Sequence, residues 1–143
     1  MKLVTVFKKW CGMGQEYVAG KCNIGRRGRA MRLTTGLVLI ALSILFGIIV
    51  ANGPVKVLRL VLVLPVYVGL LAAFEGSMSF CVLHAVRGTY DFHEPLGFAT
   101  SRSQSLQKVG SDDRKRIDRR KALRMNIEAL TGAAVIVVLL ALA

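Results

Sequence analysis

The chain has 143 residues, of which 54% are hydrophobic and 20% charged, and its 20 basic and 8 acidic residues give a net charge of +12. Its mean hydropathy is nevertheless +0.54. A soluble nucleic-acid-binding domain of this charge would be hydrophilic on average, and a disordered basic tail would be poor in Leu, Ile and Val. The composition argues against both and indicates a small all-α integral membrane protein with basic flanking segments.

The N-terminal segment, residues 1–21, is predicted to be a cytoplasmic arm at the membrane surface. Apolar residues at positions 3, 6, 7 and 10 recur with helical spacing, which is typical of an interfacial helix with Trp10 at headgroup depth. The alternation of Val4 and Val6 with polar residues leaves a short strand open as an alternative.

Residues 22–90 are predicted to form a two-helix transmembrane hairpin. Residues 33–51 contain no charge and would span roughly 28 Å as a helix, close to the hydrocarbon thickness of a bilayer. Residues 60–86 form a second apolar segment, interrupted only by Glu75, with Pro65 in its first turns. The short connection between the two segments makes the helices antiparallel neighbours.

Residues 91–124 are predicted to be a basic cytoplasmic linker or helix, and residues 125–143 a C-terminal membrane helix. Residues 89–110 are rich in turn formers and indicate a loop, after which Ser111 can cap a helix that starts at Asp112. Asp112 and Arg116 have the spacing of a helical ion pair. The basic segment can continue into the apolar one as a single helix. Residues 129–143 alone cover only roughly 22 Å, so a buried helix packed on a partner subunit remains the alternative to a full span.

The basic residues predict the orientation. Only Lys56 and Arg59 lie in the loop of the hairpin, and the other 18 lie on the opposite side, which the positive-inside rule makes cytoplasmic. We therefore expect a multi-pass protein of the bacterial inner membrane with a cytoplasmic N-terminus and no nucleic-acid partner. The basic segments either fix the orientation or contact anionic headgroups or an acidic partner. The residues predicted to make such contacts are Arg29, Arg32, Arg116, Arg119 and Arg120.

Glu75 is a candidate functional residue because a carboxylate within an apolar segment is costly and usually has a specific role. One interpretation makes it a proton or ion relay, as in a small transporter or channel. The other makes it a structural partner of Arg29 or Arg32, which we favour because the segment offers no second group to continue a relay.

Cys11, Cys22, Cys81 and His84 all lie near the predicted cytoplasmic side and could together supply four ligands to zinc or iron. Their spacing matches no established metal motif. A cytoplasmic location argues against a structural disulfide and favours free thiols. His84, or His93 in the loop, could alternatively bind a tetrapyrrole axially. The cofactor is therefore left open by the sequence.

The entry to the first apolar segment carries Asn23, Gly25, Arg29, Arg32 and Gly36, and this pattern resembles the small two-helix membrane domain of YgaP-like inner-membrane proteins. The family ends its second helix with a Cys-Pro-x-Tyr…Gly motif, where this chain has Cys81-Val82-Leu83-His84 and Gly88. The resemblance covers roughly residues 22–90 and implies a helical hairpin, a cytoplasmic N-terminus and homodimerisation through the hairpin. Some relatives carry a rhodanese domain before the hairpin, which suggests sulfur chemistry, but such a domain does not fit in the residues before Asn23.

Two residues of this pattern also have a physical interpretation of their own. Asn23 can cap a helix that begins near Gly25. Gly36 is a point at which two helices can approach closely.

No sequence motif of a nucleotide-binding or hydrolytic enzyme is present. We therefore expect a non-catalytic accessory or scaffold subunit of a larger membrane complex, with respiratory and photosynthetic assemblies among the candidates. The alternatives are a sulfur- or metal-handling membrane protein that uses Cys22 and Cys81, and a small transporter or channel that uses Glu75.

Overall fold

The computed structural model describes residues 16–51, 61–93 and 106–142. This part of the chain is mostly helical. Its elements, in order, are α1 (Arg26–Ala51), α2 (Val63–Met78), α3 (Val82–Arg87), β1 (Thr89–Tyr90), β2 (Gln107–Lys108) and α4 (Asp112–Leu142). The predicted interfacial arm, Cys11 and the loop of the hairpin lie outside the described residues.

Two of these helices are long and apolar enough to cross a membrane. They are α1, over Arg26–Ile49, and α4, over Asp112–Leu140. Only 22% of the most apolar window of each helix is buried inside the protein, so both helices expose most of their apolar surface. The 16-residue α2 is shorter, and Pro65 lies in its first turn, where a missing backbone N–H is tolerated.

Helices α1 and α2 pack closely through small residues, and Gly36 is one of the contact points, as predicted from the sequence. A Cβ atom added to Gly36 would lie 2.5 Å from the backbone nitrogen of Ala73 and 2.7 Å from the carbonyl oxygen of Gly69. One added to Gly76 would lie 2.5 Å from the backbone nitrogen of Leu33. These contacts bring the two backbones together along most of α2.

The prediction of one continuous second helix over residues 60–86 is wrong. Helix α2 ends at Met78, and Ser79 adopts a left-handed conformation with φ 55°. The backbone N–H of Phe80 then donates to the carbonyl of Glu75 (3.1 Å), which satisfies a carbonyl group at the helix end. Because the chain turns here, Phe80 and Cys81 enter the core before α3 begins.

Helix α4 runs without a break from the basic segment into the apolar one, which confirms the single-helix prediction. It starts at Asp112, so two carboxylates lie in its first turn, although Asp112 pairs with Lys115 (2.9 Å) rather than with Arg116. Its buried face packs on α2 and α3. This face consists of Asp118, Ala122, Met125, Ala129, Ala133 and Val137.

The loop prediction for residues 89–110 is wrong at its two ends. Strands β1 and β2 form an antiparallel pair in which Thr89 faces Lys108 and Tyr90 faces Gln107. Near them, Ile24 forms a parallel bridge with Asp91. Residues 16–25, 79–93 and 106–121 lie together at one end of the molecule, which we call the cap.

Candidate functional site

The site begins with an ion pair between the two hairpin helices. Arg32 lies two turns into α1, and Glu75 lies in the last turn of α2. The Nε atom of Arg32 is 3.0 Å from Oε2 of Glu75, and both side chains are almost fully buried, at 7% and 12% exposure. The predicted pairing of Glu75 with an arginine of the first helix is confirmed, with Arg32 as the partner.

The remaining contacts of Glu75 and Arg32 fix the turn after α2. The other carboxylate oxygen of Glu75, Oε1, accepts a hydrogen bond from the backbone N–H of Val82 at 2.7 Å. The Nη2 atom of Arg32 donates to the sulfur of Cys81 at 3.5 Å. Each oxygen of the carboxylate therefore faces a fixed donor, which suits a structural clamp better than a relay that must accept and release protons.

Asn23 completes the site, and its role differs from the predicted helix cap. Helix α1 begins at Arg26, whereas the fully buried side chain of Asn23 reaches the turn after α2. Its Oδ1 accepts from the backbone N–H of Cys81 (2.6 Å), and its Nδ2 donates to the Cys81 carbonyl (2.9 Å). Its backbone N–H donates to the carbonyl of Ser79 (3.2 Å). The side-chain amide of Asn23 thus satisfies both the N–H and the C=O of Cys81, as a neighbouring strand would do in a sheet.

The thiol of Cys81 is buried and protonated at ordinary pH. Cys81 is a free cysteine with 2% exposure, just beyond the end of α2. Burial raises the pKa of the thiol to about 11, the negative charge of Glu75 adds to this shift, and Arg32 opposes it. Reactive cysteines have lowered pKa values and are accessible, so this environment does not prepare Cys81 for nucleophilic or redox chemistry.

His84 is also enclosed. Its side chain is 1% exposed, and its Nδ1 forms a hydrogen bond of 2.9 Å with Oγ1 of Thr89, with donor and acceptor depending on the tautomer. Axial ligation of a tetrapyrrole metal needs an imidazole nitrogen that the macrocycle can reach, and the buried position of His84 does not provide this access. His93 is exposed at the edge of the cap, where its backbone N–H donates to Oδ1 of Asp91 (2.8 Å).

The cysteines do not behave as the predicted set of free thiols. Cys22 is disulfide-bonded, and because Cys81 is free, Cys81 is not its partner. Cys22 is therefore no thiolate ligand while this bond is present. Cys11 lies outside the described residues, and within them no group of three or more His, Cys, Asp or Glu side chains could hold a metal ion.

A second buried carboxylate, Asp118, was missed by the sequence analysis. Its Oδ2 accepts from the hydroxyl of Tyr17 and its Oδ1 from the backbone N–H of Gly20, both at 2.7 Å. Burial, followed by the hydrogen bond to Asp118, raises the pKa of Tyr17. Asp118 precedes Ala122 and Met125 at helical spacing on one face, and this position was the signal that it is buried.

The five arginines predicted to contact headgroups or a partner fall into two groups. Arg32 is buried and does not face the surroundings, because Glu75 and Cys81 occupy its guanidinium. Arg29 is half-buried beside it. The three arginines of α4 are exposed on the outer side of the cap: Arg116, Arg119 and Arg120.

Comparison with protein families, with characterised proteins and with solved structures finds no match to this chain. The residues that the site brings together, Asn23, Arg32, Glu75 and Cys81, join the start of the first helix to the end of the second. We refer to these four residues as the clamp.

Proposed function

We propose that the protein is a small multi-pass integral membrane protein that acts as a non-catalytic accessory or scaffold subunit of a larger membrane complex. One observation carries the proposal: α1 and α4 expose large apolar residues along most of their length, among them Leu42 (58% exposed) and Ile49 (64% exposed) in α1. A soluble protein of this size does not leave such continuous apolar surface uncovered. Lipid and partner helices would cover it.

The polar groups of the site support a structural rather than a catalytic role. The charges of Arg32 and Glu75 are used on each other, and the thiol of Cys81 is buried and protonated. Such an arrangement fixes the shape of a hairpin. It offers a substrate no nucleophile or exposed base.

We further propose that the protein lies in a bacterial inner membrane with the cap in the cytoplasm. The clustered basic residues of the cap support this orientation through the positive-inside rule. The resemblance to the YgaP-like hairpin leads to the same orientation. The disulfide at Cys22 is unusual for a reducing compartment and opposes this orientation.

Single-cysteine labelling tests the membrane location and the orientation together. In a background with cysteines replaced by serine, a cysteine at Gln107 in the cap is expected to react with a membrane-impermeant maleimide only after the membrane is opened. A matched cysteine at Lys56, in the loop of the hairpin, is expected to react in intact cells. The reverse pattern would contradict the proposed orientation. Release of the protein from membranes by alkaline carbonate would contradict membrane insertion.

Purification from native membranes tests the proposed role as a subunit. Extraction in a mild detergent, followed by size separation and mass spectrometry of the co-eluting chains, is expected to give a complex with several other membrane subunits. A stable, discrete small species without partners would contradict the accessory role. A species that contains only two copies of this chain would instead support the homodimer that the resemblance implies.

A further inference from the structure

The outward face of α4 changes from basic to apolar within one turn. Arg116 and Arg120 lie on the side of the helix opposite to Asp118 and Ala122, which face the protein, and the exposed Arg119 lies on the adjoining flank. The same outward face continues with large exposed apolar side chains. These are Leu123 (63% exposed), Ile127 (54%) and Leu130 (53%).

Several charges near these arginines are already neutralised within the protein. Lys115 is paired with Asp112, and Arg124 is paired with Glu128. The carboxylate of Asp118 is turned inward to Tyr17 and Gly20. Within the described residues, by contrast, no carboxylate forms an ion pair with the three outward arginines.

We propose that Arg116, Arg119 and Arg120 form a binding site for the headgroup phosphate of an anionic phospholipid, whose acyl chains lie along Leu123, Ile127 and Leu130. This inference rests on the proposed membrane location. The three arginines span roughly 6 Å of the helix axis, and Leu123 follows Arg120 by about 4.5 Å. That order of charged and apolar groups matches an amphiphile that enters the bilayer beside the helix.

The geometry favours a lipid over a nucleic acid or an acidic protein. Side chains on a helix lean toward its N-terminus, so the arginines point away from the apolar segment and toward headgroup depth. Guanidinium groups form bidentate hydrogen bonds with phosphate, which lysine side chains cannot do. A nucleic acid or an acidic protein would satisfy the arginines but would leave the adjoining apolar side chains without a complementary surface.

Native mass spectrometry of the full-length protein tests the site after reconstitution into bilayers of phosphatidylglycerol and phosphatidylcholine. We expect the wild type to retain phosphatidylglycerol selectively. The triple variant Arg116→Gln, Arg119→Gln, Arg120→Gln is expected to lose about tenfold or more of the retained lipid, because each basic residue near an anionic surface contributes to the binding. The triple Arg→Lys variant keeps the charge and is expected to retain an intermediate amount.

A second triple variant is the matched control. Lys108→Gln, Arg114→Gln, Lys121→Gln removes the same charge from other faces of the cap and is expected to retain phosphatidylglycerol like the wild type. Protection of the buried Cys81 thiol from alkylation reports whether each variant is folded.

Four outcomes would overturn the proposal. Equal losses in both Gln variants would indicate bulk charge rather than a site. A wild type that does not prefer phosphatidylglycerol would contradict lipid selectivity, and displacement of the lipid by inorganic phosphate would indicate a site for free anions. If the protein is inserted in the bilayer, any of these three results overturns the lipid site and leaves the proposed function standing. Recovery of the protein in the aqueous fraction is the fourth outcome, and it overturns both the lipid site and the proposed function.

Discussion

At the scale of single residues, the ion pair of Arg32 and Glu75 has the strongest consequences. Removing two charges from water is costly, and the mutual attraction of a buried pair compensates for this cost only while both partners are present. The pair therefore makes the hairpin sensitive to single substitutions. It need not make the hairpin more stable than a well-packed apolar pair would.

Replacing one partner of the pair should destabilise the protein strongly. Arg32→Ala or Glu75→Ala leaves a buried charge without its partner and is expected to lower the free energy of unfolding by about 3–5 kcal/mol. The double variant Arg32→Met, Glu75→Leu is expected to recover most of this loss. Unfolding in mixed detergent micelles measures the effect. The exposed pair of Arg124 and Glu128 is the control, because Glu128→Gln should change the stability little. If the double variant loses the sum of the two single-variant changes in unfolding free energy, Arg32 and Glu75 are not energetically coupled.

The buried thiol of Cys81 gives a prediction about pH. Its pKa is raised from 9.0 to about 11 in the folded protein. The stability that this group contributes is therefore fully present below about pH 9, and it is lost as the pH rises toward 11. We expect iodoacetamide at pH 8 to leave Cys81 unmodified in the folded protein and to modify it in strong detergent. Rapid labelling of the folded protein would contradict this environment.

An arginine partner for Glu75 could be predicted from the sequence, because a carboxylate in an apolar segment requires a nearby cation, but the choice of Arg32 over Arg29 could not. The role of Asn23 could not. Its partners are backbone groups of Cys81, which lie 58 positions along the chain and become available only because Ser79 is left-handed. A non-glycine residue in that conformation is uncommon, and nothing in the local sequence requires it.

At the scale of secondary-structure elements, hydrophobicity predicted the existence of the helices better than their ends. Helix α1 and the continuous α4 follow from long apolar segments with charged flanks. The break after α2 does not, because residues 79–83 are as apolar as a helix interior. What ends α2 is the tertiary gain from burying Phe80 against Ala122 and Met125.

The contact between α1 and α2 predicts which glycines tolerate a side chain. Gly36→Ala would bring a methyl group within 2.5 Å of the backbone of Ala73 and is expected to cost about 1–3 kcal/mol as the helices separate. Gly132→Ala in α4 is the matched control, since it meets only the flexible end of Leu70 at 3.2 Å. Thermal unfolding in detergent compares the two variants. Equal stability of both would contradict close packing at Gly36.

At the scale of the whole molecule, the cap joins segments that are far apart in sequence. Tyr17 and Gly20 are 101 and 98 positions away from Asp118, and both are held by its carboxylate. Tyr17 also stacks on Tyr90, with ring centroids 4.7 Å apart. Sequence periodicity could predict the helices that carry this cap, but it could not predict these pairings, because they depend on how the helices pack.

Loss of Asp118 should loosen the cap without unfolding the helices. Asp118→Ala leaves the Tyr17 hydroxyl and the Gly20 N–H without their acceptor, at about 1–3 kcal/mol for each buried group. Hydrogen exchange at Gly20 is expected to accelerate. Burial raises the pKa of Tyr17 most, and the carboxylate of Asp118 raises it further, so the pKa should fall part of the way toward its usual value when the carboxylate is removed. The exposed Asp113→Ala is the control, and an unchanged tyrosine titration in Asp118→Ala would contradict the contact.

The unbroken course of α4 has a mechanical consequence. At 31 residues the helix is roughly 46 Å long, whereas the hydrocarbon layer of a bilayer is about 30 Å thick. Helices adjust to bilayer thickness mainly by tilting. Helix α4 is continuous from Asp118 to its apolar segment. A change in its tilt would therefore move Asp118 together with Tyr17 and Gly20, which are hydrogen-bonded to its carboxylate. In the proposed membrane location, the thickness of the bilayer would thereby be coupled to the position of the cap.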